Sequence, residues 1–153
     1  MLSRFERFSV SISELYRHLH KISADEMAKY GLKGPYAIYL LTMHRYSDGI
    51  TATQLCELCD RNKADVSRAV TAMEEKGLVY RTGASYRAML HLTPAGEEAA
   101  RLVGERARVA VEMGGKGLSA KEREIFYRAL DTIADNLRDI SLSGIPEIKG
   151  EEK

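Results

Sequence analysis

Two short helical segments that follow each other almost without a linker constrain this fold more than any other feature of the chain. Thr51 and Gln54 have the spacing of a capping box, which predicts a helix from residue 52 to about residue 59. Asn62 suits the N-cap of a second helix, and Gly77 suits its end. Because two helices joined this tightly must cross steeply, the sequence predicts a helix-turn-helix unit.

The second of these helices has one apolar face and one polar, partly cationic face. Val66, Val70 and Met73 recur at helical spacing and should be buried. The opposite side is predicted to carry Lys63, Ala64, Asp65, Ser67, Arg68 and Thr71. Between residues 61 and 91, six Lys and Arg side chains outnumber three carboxylates. Since a helix fits the major groove and reads base edges near its N-terminus, this face is a candidate DNA-binding surface; the alternative is an ordinary solvated face.

A β-hairpin is predicted directly after the second helix. Residues 78–82 and 88–92 are rich in β-forming side chains, and residues 83–86 can turn the chain between them. Thr93 and Pro94 then suit the N-cap and the first turn of another helix, which should run to about Met113.

Long amphipathic helices are predicted at both ends of the chain. The apolar stripe of the first consists of Phe5, Phe8, Ile12, Leu15 and Leu19. Ser119 and Glu122 form a capping box at the start of the last helix. Its stripe consists of Phe126, Leu130, Ile133, Leu137 and Ile140. A small domain can hardly cover both stripes, which predicts pairing with a second subunit; the alternative is packing of the two helices within one chain.

Length and charge narrow the class of protein. The 153 residues have room for one domain with a real core. The net charge of +1 neither indicates nor excludes a polyanionic partner, because nucleic acid is bound by a local surface. No apolar run approaches the roughly 18 residues that cross a bilayer, so we expect a cytoplasmic protein without a membrane partner.

Three stretches of the sequence resemble parts of a known family. "TATQLCEL", "NKADVSRAVTAMEEKGLV" and "LHLTPAGEEA" are similar to the helix entering the motif, the recognition helix with its "EKGL" exit, and the return into the fifth helix of the MarR (multiple antibiotic resistance regulator) family of bacterial transcription factors. The resemblance covers nearly the whole chain. It implies a mainly α-helical fold with a small β-hairpin wing. The winged helix-turn-helix, residues 34–93, would lie between dimerisation helices in residues 1–31 and 94–142, followed by a mobile tail, residues 143–153.

The resemblance also implies a homodimer that binds a pseudo-palindromic operator in double-stranded DNA, commonly a repressor that responds to a small-molecule effector. The recognition helix, residues 63–76, would enter the major groove, and the wing, residues 83–87, would lie at the minor groove. The predicted DNA-binding residues are Thr53, Gln54, Lys63, Ala64, Asp65, Ser67, Arg68, Thr71, Arg81, Ser85, Tyr86 and Arg87. The candidates for the wall of an effector cleft are Tyr16, His20, Tyr36 and His44, with aromatic packing as the alternative.

The chain departs from the family pattern at two places. The family wing often ends in Asp-x-Arg, whereas here Ser85 stands two residues before Arg87, so the carboxylate that would orient this arginine is missing. At the corner of the helix-turn-helix, Asp60 and Arg61 stand where the family commonly has a glycine and an apolar residue.

No motif in the chain favours enzymatic chemistry, a cofactor or a metal. Cys56 and Cys59 form C-x-x-C, but within a helix their Cβ atoms would lie about 5 to 6 Å apart, beyond the ~3.8 Å of an unstrained disulfide. Zinc would need two further ligands, so core thiols are favoured over a redox or zinc site. The leading hypothesis is therefore a DNA-binding regulator; the alternative is a winged-helix module that binds proteins with the same surface.

Overall fold

The computed structural model describes residues 3–147 of the chain. Its helices are α1 (Arg4–Ala28), α2 (Ala37–Arg45), α3 (Ala52–Cys59), α4 (Lys63–Glu75), α5 (Pro94–Gly114) and α6 (Ala120–Ser143). Short 3₁₀ turns occupy Gly34–Tyr36 and Ser85–Arg87, and the strands are β1 (Ile50–Thr51), β2 (Val79–Thr82) and β3 (Met89–Leu92). The chain forms two compact units, which meet in sequence between Ala110 and Val111, inside α5. The predicted mobile tail falls mostly on residues 148–153, which lie outside the described residues.

Local capping explains where several helices begin. The Thr51 hydroxyl accepts from the Gln54 backbone N–H at 3.2 Å. In return, the side-chain oxygen Oε1 of Gln54 accepts from the Thr51 backbone N–H at 2.9 Å. The Ser119–Glu122 capping box at the start of α6 is confirmed in the same way. Asn62 caps α4 by accepting from the Asp65 backbone N–H at 2.9 Å.

The corner between α3 and α4 is made without a glycine. Asp60, which follows α3, adopts a left-handed conformation with φ of 50°. Asp and Asn tolerate this region better than other side chains, so Asp60 can close the helix where the family commonly has glycine. The departure noted in the sequence therefore still permits a helix-turn-helix.

The predicted hairpin of β2 and β3 is present, and β1 extends it to a three-stranded antiparallel sheet, which is called the wing from here on. Its strand order is β1-β3-β2, with Ile50 opposite Leu90 and Val79 opposite Leu92. Ile50 begins β1 and is 1% exposed. The two-residue β1 was missed because its partner lies about 40 residues further along the chain.

The hydrophobic core of the first unit draws on α1 to α5 and all three strands. In α4 the predicted stripe of Val66, Ala69, Val70 and Met73 is buried. In α2 the buried residues are Tyr39, Leu40, Thr42 and Met43, whereas Ile38 is 45% exposed. The core positions α4 with its polar side outwards.

The junction between the wing and α5 depends on a close backbone approach. The Thr93 hydroxyl donates to the Gly77 carbonyl oxygen at 2.6 Å and accepts from the Gly96 N–H at 3.1 Å. A Cβ atom on Gly96 would lie 2.0 Å from the Leu78 carbonyl oxygen. Only glycine fits this position, which gives the "LTPAG" stretch a physical reason.

In the second unit, one arginine ties the end of α5 to the start of α6. Arg123 donates to Glu112 at 2.6 Å and to the Gly115 carbonyl oxygen at 2.9 Å. No residue of α6 is buried. Among the described residues, no helix is both long and apolar enough for a membrane span.

Candidate nucleic-acid interface

The polar side of α4 is presented to solvent as the sequence predicts. Lys63, Ala64, Ser67, Arg68 and Thr71 are exposed, while Asp65 is half-buried. The opposite side of the helix is buried in the core, so α4 cannot turn this face inwards without opening the core. The arrangement gives a fixed helix with small and hydrogen-bonding groups near its N-terminus.

Three side chains at the start of α4 form a connected group. The Asn62 amide donates to Asp65 Oδ2 at 2.8 Å, and Arg68 Nη2 donates to Asp65 Oδ1. Both carboxylate oxygens of Asp65 are therefore engaged. We call Asn62, Asp65 and Arg68 the N-terminal relay.

At the other end of α4, a second arginine–carboxylate pair joins the helix to the wing. Arg81 in β2 donates to Glu74 through Nε at 2.8 Å and through Nη2 at 3.1 Å. The hydrogen bond from Glu74 raises the pKa of Arg81. The predicted DNA contact Arg81 thus has its charge and two of its donors committed to a brace within the protein.

The remaining predicted DNA-binding residues lie on α3 and the wing. Thr53 and Gln54 are exposed on α3, but the Gln54 side chain is committed to the capping box with Thr51. Ser85 and Arg87 are exposed in the short 3₁₀ turn at the tip of the wing. The side chain of Tyr86 lies outside what the structure describes.

Sequence reasoning missed the role of His91 in the wing. Its ring stacks on Tyr80 with centroids 5.1 Å apart, and its Nε2 lies 2.9 Å from the Thr82 hydroxyl. A Cβ atom on Gly49 would lie 2.5 Å from the same ring. His91 thus packs β2 and the turn before β1 against β3, and no local sequence signal indicates these distant partners.

A cleft of about 290 Å³ lies beside the start of α4. Three of the four predicted effector residues, Tyr16, His20 and Tyr36, line it. It is completed by Lys33, Pro35, Tyr39, Arg61, Asp65 and Arg68. Burial raises the pKa of the Tyr39 phenol, and the positive charge of Arg61 opposes part of that rise.

The fourth predicted effector residue, His44, does not line this cleft. Its Nδ1 lies 2.5 Å from Glu97 Oε2, so the imidazole joins the end of α2 to the first turn of α5. The sequence prediction grouped His44 with the other three because the resemblance implies an effector cleft between the dimerisation helices and the winged domain. The contact with Glu97 depends on a residue 53 positions away.

Both cysteines of the C-x-x-C pair belong to the first unit and are partly buried. Cys56 and Cys59 are free thiols of intermediate burial, and Cys59 Sγ lies 3.4 Å from the Thr42 hydroxyl. Within residues 3–147, no group of three or more His, Cys, Asp or Glu side chains has an arrangement that could hold a metal ion.

The predicted dimerisation residues form exposed apolar stripes on α1 and on α6. Nine of the ten are exposed, from 37% for Leu130 to 77% for Phe5, and Ile140 is intermediate. We call these the α1 stripe and the α6 stripe.

A helix-turn-helix whose second helix is backed by a core and followed by a β-sheet wing defines a winged-helix protein. Residues 30–86 match the family model described as "MarR family". A search of curated proteins gives no match.

Solved structures share the fold. A MarR transcriptional regulator from Methanosarcina mazei Go1 is 21% identical, with a TM-score of 0.79 over 91% of this chain and 94% of that one. A putative MarR family regulator from Listeria monocytogenes, complexed with 26mer DNA, is 21% identical, with a TM-score of 0.79 over 97% and 99%. A MarR protein from Peptoclostridium difficile is 17% identical, with a TM-score of 0.80 over 91% and 94%. Residues 30–86 are thus similar to the MarR family, the solved structures share the fold of nearly the whole chain, and the predicted fold class is confirmed.

Proposed function

We propose that this protein is a dimeric transcriptional regulator that binds a specific DNA sequence with α4 and the wing. The observation that carries the proposal is the outward polar face of α4, held in place by the buried stripe of Val66, Val70 and Met73. Lys63, Ser67 and Thr71 are exposed there and can donate hydrogen bonds to base edges or phosphates. The solved Listeria protein with the same fold was crystallised with DNA, which supports DNA binding by this chain.

The contacts and positions of the side chains on this face indicate which of them read bases and which bind phosphates. Arg68 reaches outwards near the N-terminal end of α4, where a recognition helix meets bases, and is assigned to base reading. Lys63 at the helix entry and Arg87 at the wing are assigned to phosphate and minor-groove contacts. Arg81 is assigned to the brace with Glu74 and not to DNA.

Homodimerisation is proposed from the α1 and α6 stripes. Large apolar side chains such as Phe5, Leu19 and Leu137 are each about half exposed or more in the single chain. Burying apolar surface is worth roughly 25 cal/mol per Å², so two stripes of five residues provide a strong driving force for association. A two-fold dimer would place the two α4 helices for half-sites about 34 to 36 Å apart.

A response to a small molecule is proposed from the cleft beside α4. Its wall combines the aromatic rings of Tyr16, His20 and Tyr36 with the cations Arg61 and Arg68. Lys33 adds a further cation, and the lining contains one carboxylate, whose oxygens are already engaged by the N-terminal relay. This composition suits a flat anion, and we infer that such an effector would release DNA and so relieve repression.

An unbiased selection of double-stranded DNA by the full chain tests the proposal. The expected result is a pseudo-palindromic sequence, which should also occur upstream of the regulated gene and shift in a salt-sensitive manner. Failure to enrich any sequence, together with binding of protein partners through α4, would support the protein-interaction alternative instead. Adding a panel of aromatic and aliphatic carboxylates to the shift assay tests the effector, with Tyr36→Ala as the variant expected to lose the response.

A further inference from the structure

The N-terminal relay fixes a carboxylate beside the arginine that is assigned to base reading. Asp65 receives hydrogen bonds from the Asn62 amide at 2.8 Å and from Arg68 Nη2. Its backbone N–H is the one that Asn62 Oδ1 caps, at 2.9 Å. The carboxylate therefore has little freedom, and it lies in the first turn of α4, where the helix dipole favours a negative charge.

The Asp65–Arg68 pair adds little to the stability of the fold. The side chains are 42% and 65% exposed, respectively, and exposed ion pairs contribute little because water and salt screen them. The cap of α4 uses the Asp65 backbone and not its carboxylate, so it survives loss of the side chain. The small contribution of this ion pair to stability leaves room for a second role.

Orientation of the Arg68 side chain is such a role. A free arginine loses rotamer freedom when it is fixed against a base, and this entropy opposes binding. In the described hydrogen bonds Arg68 donates only through Nη2. The pair orients Nε and Nη1, and both remain available to an acceptor. Bidentate recognition of guanine needs two donors in a fixed geometry.

We propose that Asp65 is a positioning residue that sets sequence specificity through Arg68. The Asp65 carboxylate holds the Arg68 guanidinium in an orientation that suits a base. In complexes where Arg68 has no base acceptor, the negative charge of Asp65 repels nearby phosphates. Non-specific binding depends on phosphate contacts, so this charge penalises scrambled DNA, while the specific complex gains from the prepared arginine. The inference rests on the proposed function.

The Glu74–Arg81 pair provides a matched control on the same helix. It also joins one carboxylate of α4 to one arginine, with side chains 30% and 41% exposed. Here, however, Nε and Nη2 are both used inside the protein, so the pair braces the wing and prepares no donor for DNA. Loss of Glu74 changes the charge of α4 as loss of Asp65 does, without acting on Arg68.

The experiment measures affinity for the selected operator and for a scrambled sequence in full-length dimers of Asp65→Asn, Asp65→Ala and Glu74→Ala. For Asp65→Ala, we expect tighter binding to scrambled DNA and weaker binding to the operator, with the specificity ratio reduced roughly three- to tenfold. Asp65→Asn should fall between wild type and Asp65→Ala, because a neutral acceptor holds an arginine less strongly. Any effect of Glu74→Ala on the ratio should be the same in the Arg68→Ala background, because Glu74 acts through Arg81 and the wing and not through Arg68.

A double-mutant cycle with Arg68→Ala then separates positioning from a structural role. In the Arg68→Ala background, Asp65→Ala should no longer change the specificity ratio, since the residue that it positions is absent. An unchanged ratio in Asp65→Ala, or an equal fall with and without Arg68, would overturn this inference alone. A wild-type chain that fails to distinguish operator from scrambled DNA would overturn the proposed function as well.

Discussion

The first unit and the α6 helix of the second unit differ sharply in what they do with apolar side chains. Leu40, Leu55 and Met73 in the winged-helix region are 0% exposed. In α6 no residue is buried, although its sequence is as strongly amphipathic as that of the other helices. The N-terminal part of α1 behaves like α6, whereas Met27 near its end is fully buried. The winged helix covers its own apolar surface, whereas the stripes of the terminal helices stay exposed in the single chain.

This difference teaches that amphipathic periodicity alone does not tell where a stripe will be buried. The stripe of α4 and the stripe of α6 have the same spacing, but only the first finds cover in the single chain. Substitutions in the core of the winged helix should therefore unfold the chain. Substitutions in the terminal stripes should instead dissociate the proposed dimer.

Removing a buried side chain from the winged helix should have the largest effect. Leu40→Ala should lower the free energy of unfolding by about 2 to 5 kcal/mol, because it removes apolar contacts and leaves a cavity. Leu137→Ala in the α6 stripe, where the residue is 49% exposed, is the matched control. In urea unfolding at two protein concentrations, only the loss in Leu137→Ala should depend on concentration. A concentration-independent loss in both variants would contradict the comparison.

A charge in the α6 stripe should dissociate the dimer without unfolding the winged helix. Leu130→Glu would bury an unpaired carboxylate in the proposed interface, and specific DNA affinity should fall roughly 100-fold or more when two linked half-sites become independent. Sedimentation gives the oligomeric state, and a shift assay gives the affinity. Thr132→Glu, on the same helix outside the stripe, should remain dimeric. A Leu130→Glu variant that stays dimeric would place the interface elsewhere.

Two glycines of α5 should respond oppositely to the same substitution. Gly96→Ala would place a Cβ atom 2.0 Å from the Leu78 carbonyl oxygen, whereas nothing lies within 4 Å of a Cβ atom at Gly114. Gly96→Ala should therefore cost about 1 to 3 kcal/mol of stability, and Gly114→Ala should be neutral or slightly stabilising. Thermal unfolding of both variants checks this. Equal melting temperatures would show that the wing junction can relax.

The smallest effect concerns pH at the point where α1 enters the core. The Lys29 ammonium, at 2.5 Å, and the more distant Arg106 guanidinium lower the pKa of Glu26 from its ordinary 4.5. Because the folded-state pKa lies below the unfolded one, this stabilisation is present above about pH 4.5 and is lost as pH falls through the folded value. Glu26→Gln should remove this pH-dependent part of the free energy of unfolding, which is under about 1 kcal/mol.

A matched substitution on α5 serves as the control for this pH effect. Glu98 also has a lowered pKa, caused by Arg101, but its side chain is 58% exposed, against 16% for Glu26. Glu98→Gln should change the unfolding profile between pH 3 and 5 less than Glu26→Gln does. A larger change for Glu98→Gln would mean that burial of Glu26 adds nothing to the pair.

The helices and the outward face of α4 could be predicted because their signals are local. The capping boxes at Thr51 and Ser119 and the cap at Asn62 involve side chains three residues from the backbone groups that they satisfy. Within the candidate site, the Asn62–Asp65–Arg68 spacing is also a short-range pattern. The pairing of Arg81 with Glu74 could not be predicted, because the two residues lie on either side of the turn between α4 and β2.

The order and the approximate bounds of the helices follow from local signals, since capping and periodicity act within one or two turns of the chain. Three other features depend on the folded chain: Ile50 pairs with Leu90, His44 binds Glu97 away from the cleft, and Gly96 lies against Leu78. Each of these contacts joins residues that are far apart in the chain. Their partners are fixed by how the buried faces pack together, which periodicity within any single element does not specify.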